Sequence, residues 1–234
     1  MQASEIKFRA SQTGRLMTEP RSRSETISET TKDYLLEVYI AYKYGRWKDI
    51  TSKYMEKGLQ VEEDSITLYS RVTGELHFKN EVMLENGYIK GTPDLFSGKL
   101  ENAKLIVDIK SSWDIFTFFK SKSASINKDY YWQLQSYMWL TNCQKSKLAY
   151  CLVNTPQEFI DSEKSRFLFR SSHLSQADID RGLLAIESNM TFDDIPMAER
   201  CHVIDVSRND EDIIRLQQRV ADCRLWMDAN LFTT

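Results

Sequence analysis

The chain has 234 residues, with 31 Lys and Arg against 34 Asp and Glu, a formal net charge of −3 at pH 7 and 41% hydrophobic residues. That length suits one substantial core without requiring a second, and the near balance of charge excludes a protein that gathers nucleic acid by bulk positive charge. Neither end joins a charged stretch to a long apolar run, so no secretory signal or membrane span is expected and the cytoplasm is the expected compartment.

Residues 1–27 are polar, contain Pro20 and carry Lys7, Arg9, Arg15, Arg21 and Arg23 against three glutamates. They predict an arm that stays extended until DNA or a subunit orders it, with residues 28–234 forming one domain. Ser28 is placed to cap a helix from Glu29 whose apolar side is Tyr34, Leu35, Val38, Tyr39 and Tyr42. From Asp49 to Leu68 apolar residues recur at helical spacing, with Lys53, Glu56, Lys57, Gln60 and Glu63 on the wetter side. Gly58 in that helix suggests close approach of a backbone or a DNA strand one turn before Glu62. Glu75 to Lys79 reads as an exposed strand carrying His77, and Gly87 to Phe96 as a strand, a Gly-Thr-Pro break and a return strand entered through Asp94.

Leu105 to Lys110 is a strand in which Asp108 and Lys110, at i and i+2, point to one face and Ile109 to the other. Gly98 and Asn102 supply a turn that brings Asp94 alongside Asp108. Tyr130 to Leu140 reads as an aromatic, apolar helix in which Gln133 and Tyr137 share a face, able to bind a phosphate or hold the glutamate and a metal-bound water in place. Lys147 to Asn154 reads as a buried strand, Leu174 to Asn189 as a short helix and Cys201 to Val206 as a last strand. The closing helix, Asn209 to Ala229, carries Ile213, Leu216, Val220, Cys223 and Met227 on one face.

Asp94, Asp108 and Glu62 bring three carboxylates toward one place, and carboxylates so close repel unless a cation offsets them. Hydrolysis of a phosphodiester needs such a hard divalent cation, because a water must be activated and charge on the phosphoryl oxygens neutralised. In this reading Asp94, Asp108 and the main-chain carbonyl of Ile109 are direct metal ligands, and Glu62 reaches in from its helix directly or through water. Lys110 orients or deprotonates the attacking water and stabilises the developing charge. The plainer alternative is a strand ion pair between Asp108 and Lys110 with Asp94 in an ordinary turn. The four cysteines have no close metal-ligand spacing and read as reduced core thiols. Residues 99–128 hold six lysines against three acids, and residues 173–230 twelve acids against six arginines, a distribution compatible with a basic groove and an acidic outer surface.

Taken in order, Phe8-Arg-Ala-Ser11, Thr18-Glu-Pro-Arg-Ser22, Lys57-Gly-Leu-Gln-Val-Glu62, Thr92-Pro-Asp94, Asp108-Ile-Lys110 and Gln133-Leu-Gln135 with Met138-Trp139 resemble a PD-(D/E)XK nuclease of the phage lambda exonuclease and YqaJ-type recombinase branch. The resemblance implies an α/β (α+β) fold with a restriction-endonuclease-like core, a central mixed β-sheet flanked by α-helices. It implies a Mg2+-dependent exonuclease, with Mn2+ as substitute, digesting double-stranded DNA 5′ to 3′ in phage or prophage recombination inside a bacterial cell. A homo-oligomer in the form of a trimeric ring and a single-strand annealing protein are the implied protein partners. Glu62, Asp94, Asp108 and Lys110 match the family's catalytic set, Gln135 matches an active-site glutamine of lambda-type enzymes, and the Gln133-to-Tyr137 spacing matches RecB-like domains. Ser11 matches a serine that recognises the terminal phosphate. The arginine expected seven residues before it is replaced by Ser4, leaving Lys7, Arg9 and Arg15 as the candidate phosphate contacts. All four cysteines follow Lys110, which argues against the iron–sulfur cluster of some relatives. An endonuclease of the same fold and a non-catalytic DNA-binding or phage structural protein are the rival readings.

Overall fold

The computed structural model describes residues 2–22, 24–48 and 53–232. In chain order the regular elements are β1 (Phe8–Arg9), α1 (Thr13–Leu16), α2 (Glu29–Tyr44), α3 (Lys53–Gln60), α4 (Glu62–Thr73), β2 (Leu84–Glu85), β3 (Ile89–Gly91), β4 (Leu95–Lys99) and β5 (Asn102–Ser111). They continue with α5 (Ile115–Ser123), α6 (Lys128–Leu140), β6 (Lys145–Cys151), α7 (Gln157–Arg170), α8 (Gln176–Ser188), β7 (Cys201–Ser207) and α9 (Asp210–Asn230). The main sheet is mixed, in the order β4-β5-β6-β7, with only the β5–β6 pair parallel. A smaller sheet runs β1-β3-β2.

Alternation along β5 divides the core. Val107 and Ile109 pack with Val61, Ile66 and Tyr69 at the start of and along α4. Ile106 points the other way, to Leu134, Tyr137 and Met138 of α6. Asp108 and Lys110 have the parity of Ile106, so they face α6. Gly98 takes φ 88° at the irregularity that closes the β4–β5 hairpin, a conformation open to glycine at little steric cost.

The helix ends follow local chemistry. Ser28 accepts from Thr31 N, Asn209 accepts from the amides of Glu211 and Asp212, and three acids fill the first turn of α9. The five apolar residues expected to share a face of α9 are its buried ones.

Several expectations are corrected. The N-terminal segment is no extended arm: β1 pairs in parallel with β3, and Ala3, Ile6, Phe8, Leu16 and Met17 enter the core with α2 and α9. Its few apolar residues are spread among polar ones, so their burial shows only once β3 and α9 provide partners. The helix expected over Asp49 to Leu68 is two helices, α3 and α4, divided at Val61, while residues 49–52, like Arg23, lie outside the described residues. Glu75 to Lys79 forms no strand, and the His77 ring packs 5.0 Å from that of Tyr69. Helices α5 and α7 were not foreseen. Tyr42 is exposed rather than part of an apolar face. All four cysteines are free thiols, and among the described residues no helix is long and apolar enough to cross a membrane.

Gly91 lies where β3, the N-terminal segment and α6 converge. A Cβ there would stand 2.7 Å from Ala10 Cβ and 2.9 Å from Tyr137 Cε1. Gly91→Ala is expected to destabilise the fold by about 1–3 kcal/mol through overpacking, measured by chemical denaturation, whereas Gly58→Ala, whose Cβ would meet open space, is expected to be neutral or stabilising.

Candidate active site

The site is built on β5. Asp108 is fully buried and its Oδ2 lies 2.7 Å from Lys110 Nζ, the i and i+2 juxtaposition that strand parity demands. The Lys110 ammonium also sits 5.0 Å from the centre of the Tyr130 ring. From α6, the Gln133 amide donates both to Asp108 Oδ1 at 2.9 Å and to the Tyr137 hydroxyl at 3.0 Å. Asp94 immediately precedes β4, and the pairing of Leu95 with Val107 brings it beside Asp108. Its Oδ2 accepts from Ile109 N at 2.7 Å. The hairpin therefore joins the two aspartates as expected, and the expected pairing of Gln133 with Tyr137 places that amide directly on one of them.

Burial and then the charge of Asp108 push the Asp94 carboxyl up to about 7, against the pull of Lys110 and the Ile109 amide. For Lys110, burial works against the ammonium, but Asp108 and Asp94 outweigh it and hold the group above its ordinary value. Burial, reinforced by Asp108, likewise raises the Tyr137 phenol and keeps it neutral. Tyr137 thus accepts from Gln133 with its own proton in place.

These donors fit a hard cation. Asp108 Oδ2 is buried against the Lys110 ammonium at 2.7 Å and has no neutral hydrogen-bond donor among the described residues. Beside it stands a carboxyl whose proton is held by crowding. Carboxylate oxygens of this kind suit magnesium-type ions. The third carboxylate is placed differently from the convergence read in the sequence. Glu62, in the first turn of α4, pairs with Lys79 Nζ at 2.6 Å, and among the described residues no three acidic, His or Cys side chains converge closely enough to hold a metal ion. Glu62 is still felt by the Asp94 carboxyl, so it borders the site.

Gln135 is corrected more sharply. It is buried on another face of α6, donating to Ser207 O at 2.9 Å and accepting from Asn209 N at 2.9 Å. Two residues along a helix lie far apart in azimuth, so Gln133 and Gln135 cannot both face Asp108, and Gln135 instead ties α6 to the start of α9.

Lys57, assigned to a wet helix face by periodicity, is almost fully buried. Its ammonium donates to Ser112 O at 3.2 Å and Trp113 O at 2.7 Å, and burial pushes its pKa down to about 8. It pins the chain just after β5 to α3. Periodicity had no means of finding it, because the carbonyls that capture it lie more than fifty residues away.

Of the candidate phosphate contacts, Lys7, Arg9 and Arg15 line a groove of about 790 Å³ together with Lys48, Lys90 and Trp47. Lys7 is paired with Glu85 at 2.6 Å and Arg15 with Glu37 at 2.8 Å, the latter also stacked 4.6 Å over Tyr34. Ser11 is exposed and is not part of that wall.

A sequence model of the YqaJ-like viral recombinase domain matches residues 9–144, and no curated protein matches the chain. The structure is similar to that of a phage related exonuclease from Haemophilus somnus 129PT, with a TM-score of 0.76 and 25% identity over 96% of this chain and 95% of that one. It is also similar to the alkaline exonuclease LHK-Exo from Laribacter hongkongensis, with a TM-score of 0.64 and 16% identity over 97% and 90%, alone or in complex with dAMP. The second likeness shows the fold alone.

The raised Asp94 carboxyl has a measurable signature. Between about 4 and about 7 the folded chain keeps a proton that the unfolded chain has released, so this group's stabilising contribution is complete at low pH and is lost as pH rises through about 7. In excess chelator, Asp94→Asn is expected to gain thermal stability relative to the unaltered protein over that interval and to hold a constant lead above it. A difference independent of pH would contradict the assignment.

Proposed function

Because the chain belongs to the YqaJ-like viral recombinase domain family, we propose that it is a metal-dependent exonuclease that digests double-stranded DNA in the 5′-to-3′ direction during phage or prophage recombination, in the cytoplasm of a bacterial host. The observation that carries this reading is the buried Asp108, gripped by Gln133 and Lys110 and crowded by Asp94 on the Ile109 amide. An ordinary strand ion pair needs neither a second, half-buried carboxylate crowding the first nor an amide aimed at it.

Asp94, Asp108 and the Ile109 carbonyl would hold Mg2+, with Mn2+ as substitute, and Glu62 would join through water. When bound, the ion neutralises charge on the phosphoryl group and makes water acidic enough to attack. Gln133 fixes the rotamer of Asp108. Lys110 stands where it can orient the attacking water and offset charge as the new P–O bond forms and the old one breaks. Tyr137, neutral and bonded to Gln133, holds that amide toward Asp108. Lys7, Arg9 and Arg15 place positive charge along the groove, where a terminal phosphate of the duplex would dock with Ser11 at its margin. A homotrimeric ring would confine the duplex and make digestion processive, and a single-strand annealing protein would take up the strand left behind.

Chelator is expected to abolish cutting and Mg2+ or Mn2+ to restore it, while Lys110→Ala lowers single-turnover cleavage by about 10²–10³-fold with the fold retained by circular dichroism. Open duplex should be degraded and covalently closed circles spared; linearisation of the circle at the same rate would favour an endonuclease. Light scattering should report a particle of three chains, and a 27.4 kDa particle that still digests processively would remove the ring.

A further inference from the structure

We propose that Lys79 is a second lysine of the cleavage site, a substrate-binding residue that holds a phosphate of the DNA backbone beside Glu62. The proposal rests on the nuclease reading above and adds to it a contact that the family resemblance did not supply. Lys79 lies in the irregular segment between α4 and β2, where a lysine would ordinarily be a solvated surface charge. The residue after it removes that freedom. Asn80 is buried and its polar groups are engaged: its N donates to Asp94 O at 2.7 Å, and its Nδ2 to Pro93 O at 2.9 Å and Val82 O at 3.1 Å. Its Oδ1 accepts from Val82 N at 3.1 Å. The segment is thereby fastened to the turn that presents Asp94, and Lys79 is carried to the edge of the site.

There its ammonium meets Glu62 Oε2 at 2.6 Å, with the lysine side chain 36% and the glutamate side chain 20% exposed. An exposed ion pair of this kind adds little to stability, too little to explain the arrangement as a fold-holding device. Its effect is to aim a charge. One of the three ammonium donors is given to Glu62, and the side chain stays open to solvent. Lys110 is less suited to that task, because its side chain is 23% exposed and its charge is engaged by the fully buried Asp108. Three carboxylates border a place that must receive a polyanion, and Lys79 is the accessible cation that offsets them there. An ammonium serves phosphate as a point charge without a demanding geometry.

The test is binding of a duplex by the full chain in Ca2+ and, separately, in chelator, as a function of salt. Lys79→Ala is expected to weaken binding severalfold and to reduce the slope of log K against log salt by about one, at an unchanged unfolding temperature. Lys79→Arg should restore both, and Lys164→Ala, which breaks the comparable Lys164–Glu187 pair, should change neither. Duplexes carrying one neutral methylphosphonate at successive terminal linkages should include one that weakens the unaltered protein but not Lys79→Ala. An unchanged salt slope in Lys79→Ala, or equal sensitivity of both proteins to every neutral linkage, would overturn the contact while leaving the metal-dependent nuclease intact. Failure of the unaltered protein to bind duplex at all would overturn the nuclease reading and this contact with it.

Discussion

The structure is organised around the cost of holding a half-buried Asp94 beside the fully buried Asp108. A buried carboxylate is tolerated only when hydrogen bonds and opposite charge replace its hydration, and here the replacements come from two parts of the chain, β5 and α6. The Ile109 amide serves Asp94, while Gln133 and Lys110 serve Asp108. The hairpin that joins β4 to β5 sets the register between the two acids. Each compensation is partial: Asp94 remains biased toward its protonated form and one oxygen of Asp108 rests on the Lys110 ammonium alone. A site completed by the protein itself would have no use for a cation. This one leaves Asp94 favouring its proton, so the pair of carboxylates still attracts positive charge.

The surroundings read as devices for keeping that geometry. Gly91 lets Tyr137 approach β3 without a Cβ between them, which seats α6 close enough for Gln133 to reach Asp108. Lys57 fixes the far end of β5 through the Ser112 and Trp113 carbonyls, and Asn80 fixes the turn before Asp94. Such ties limit the motion of the site at both ends of its strands, so chemistry that depends on fractions of an ångström rests on packed elements rather than loops. Glu62 differs. It stands at a helix start after the break at Val61, paired with an exposed lysine rather than with the aspartates.

How much could be read from the order of residues alone depended on distance along the chain. Asp108 and Lys110 share a strand face because pleating alternates every residue, and Gln133 and Tyr137 share a helix face because 3.6 residues make a turn. The apolar face of α9 follows the same rule. The hairpin carrying Asp94 was legible too, since glycine, proline and a short turn confine the backbone locally. Resemblance to a nuclease family joined these pieces in order, and the match over residues 9–144 agrees with it.

Which faces meet was a different matter. Periodicity placed Lys57 in water, chose no winner between Gln133 and Gln135, and treated the N-terminal segment as a loose arm. The structure buries Lys57, turns Gln135 toward β7 and α9, and threads the N-terminal segment along β3. Local sequence determined the faces of single elements, because backbone geometry repeats over a few residues. Only the tertiary structure decided the site's membership, because burial and charge neutralisation depend on partners tens to hundreds of residues away, and on the energy of all of them assembled together.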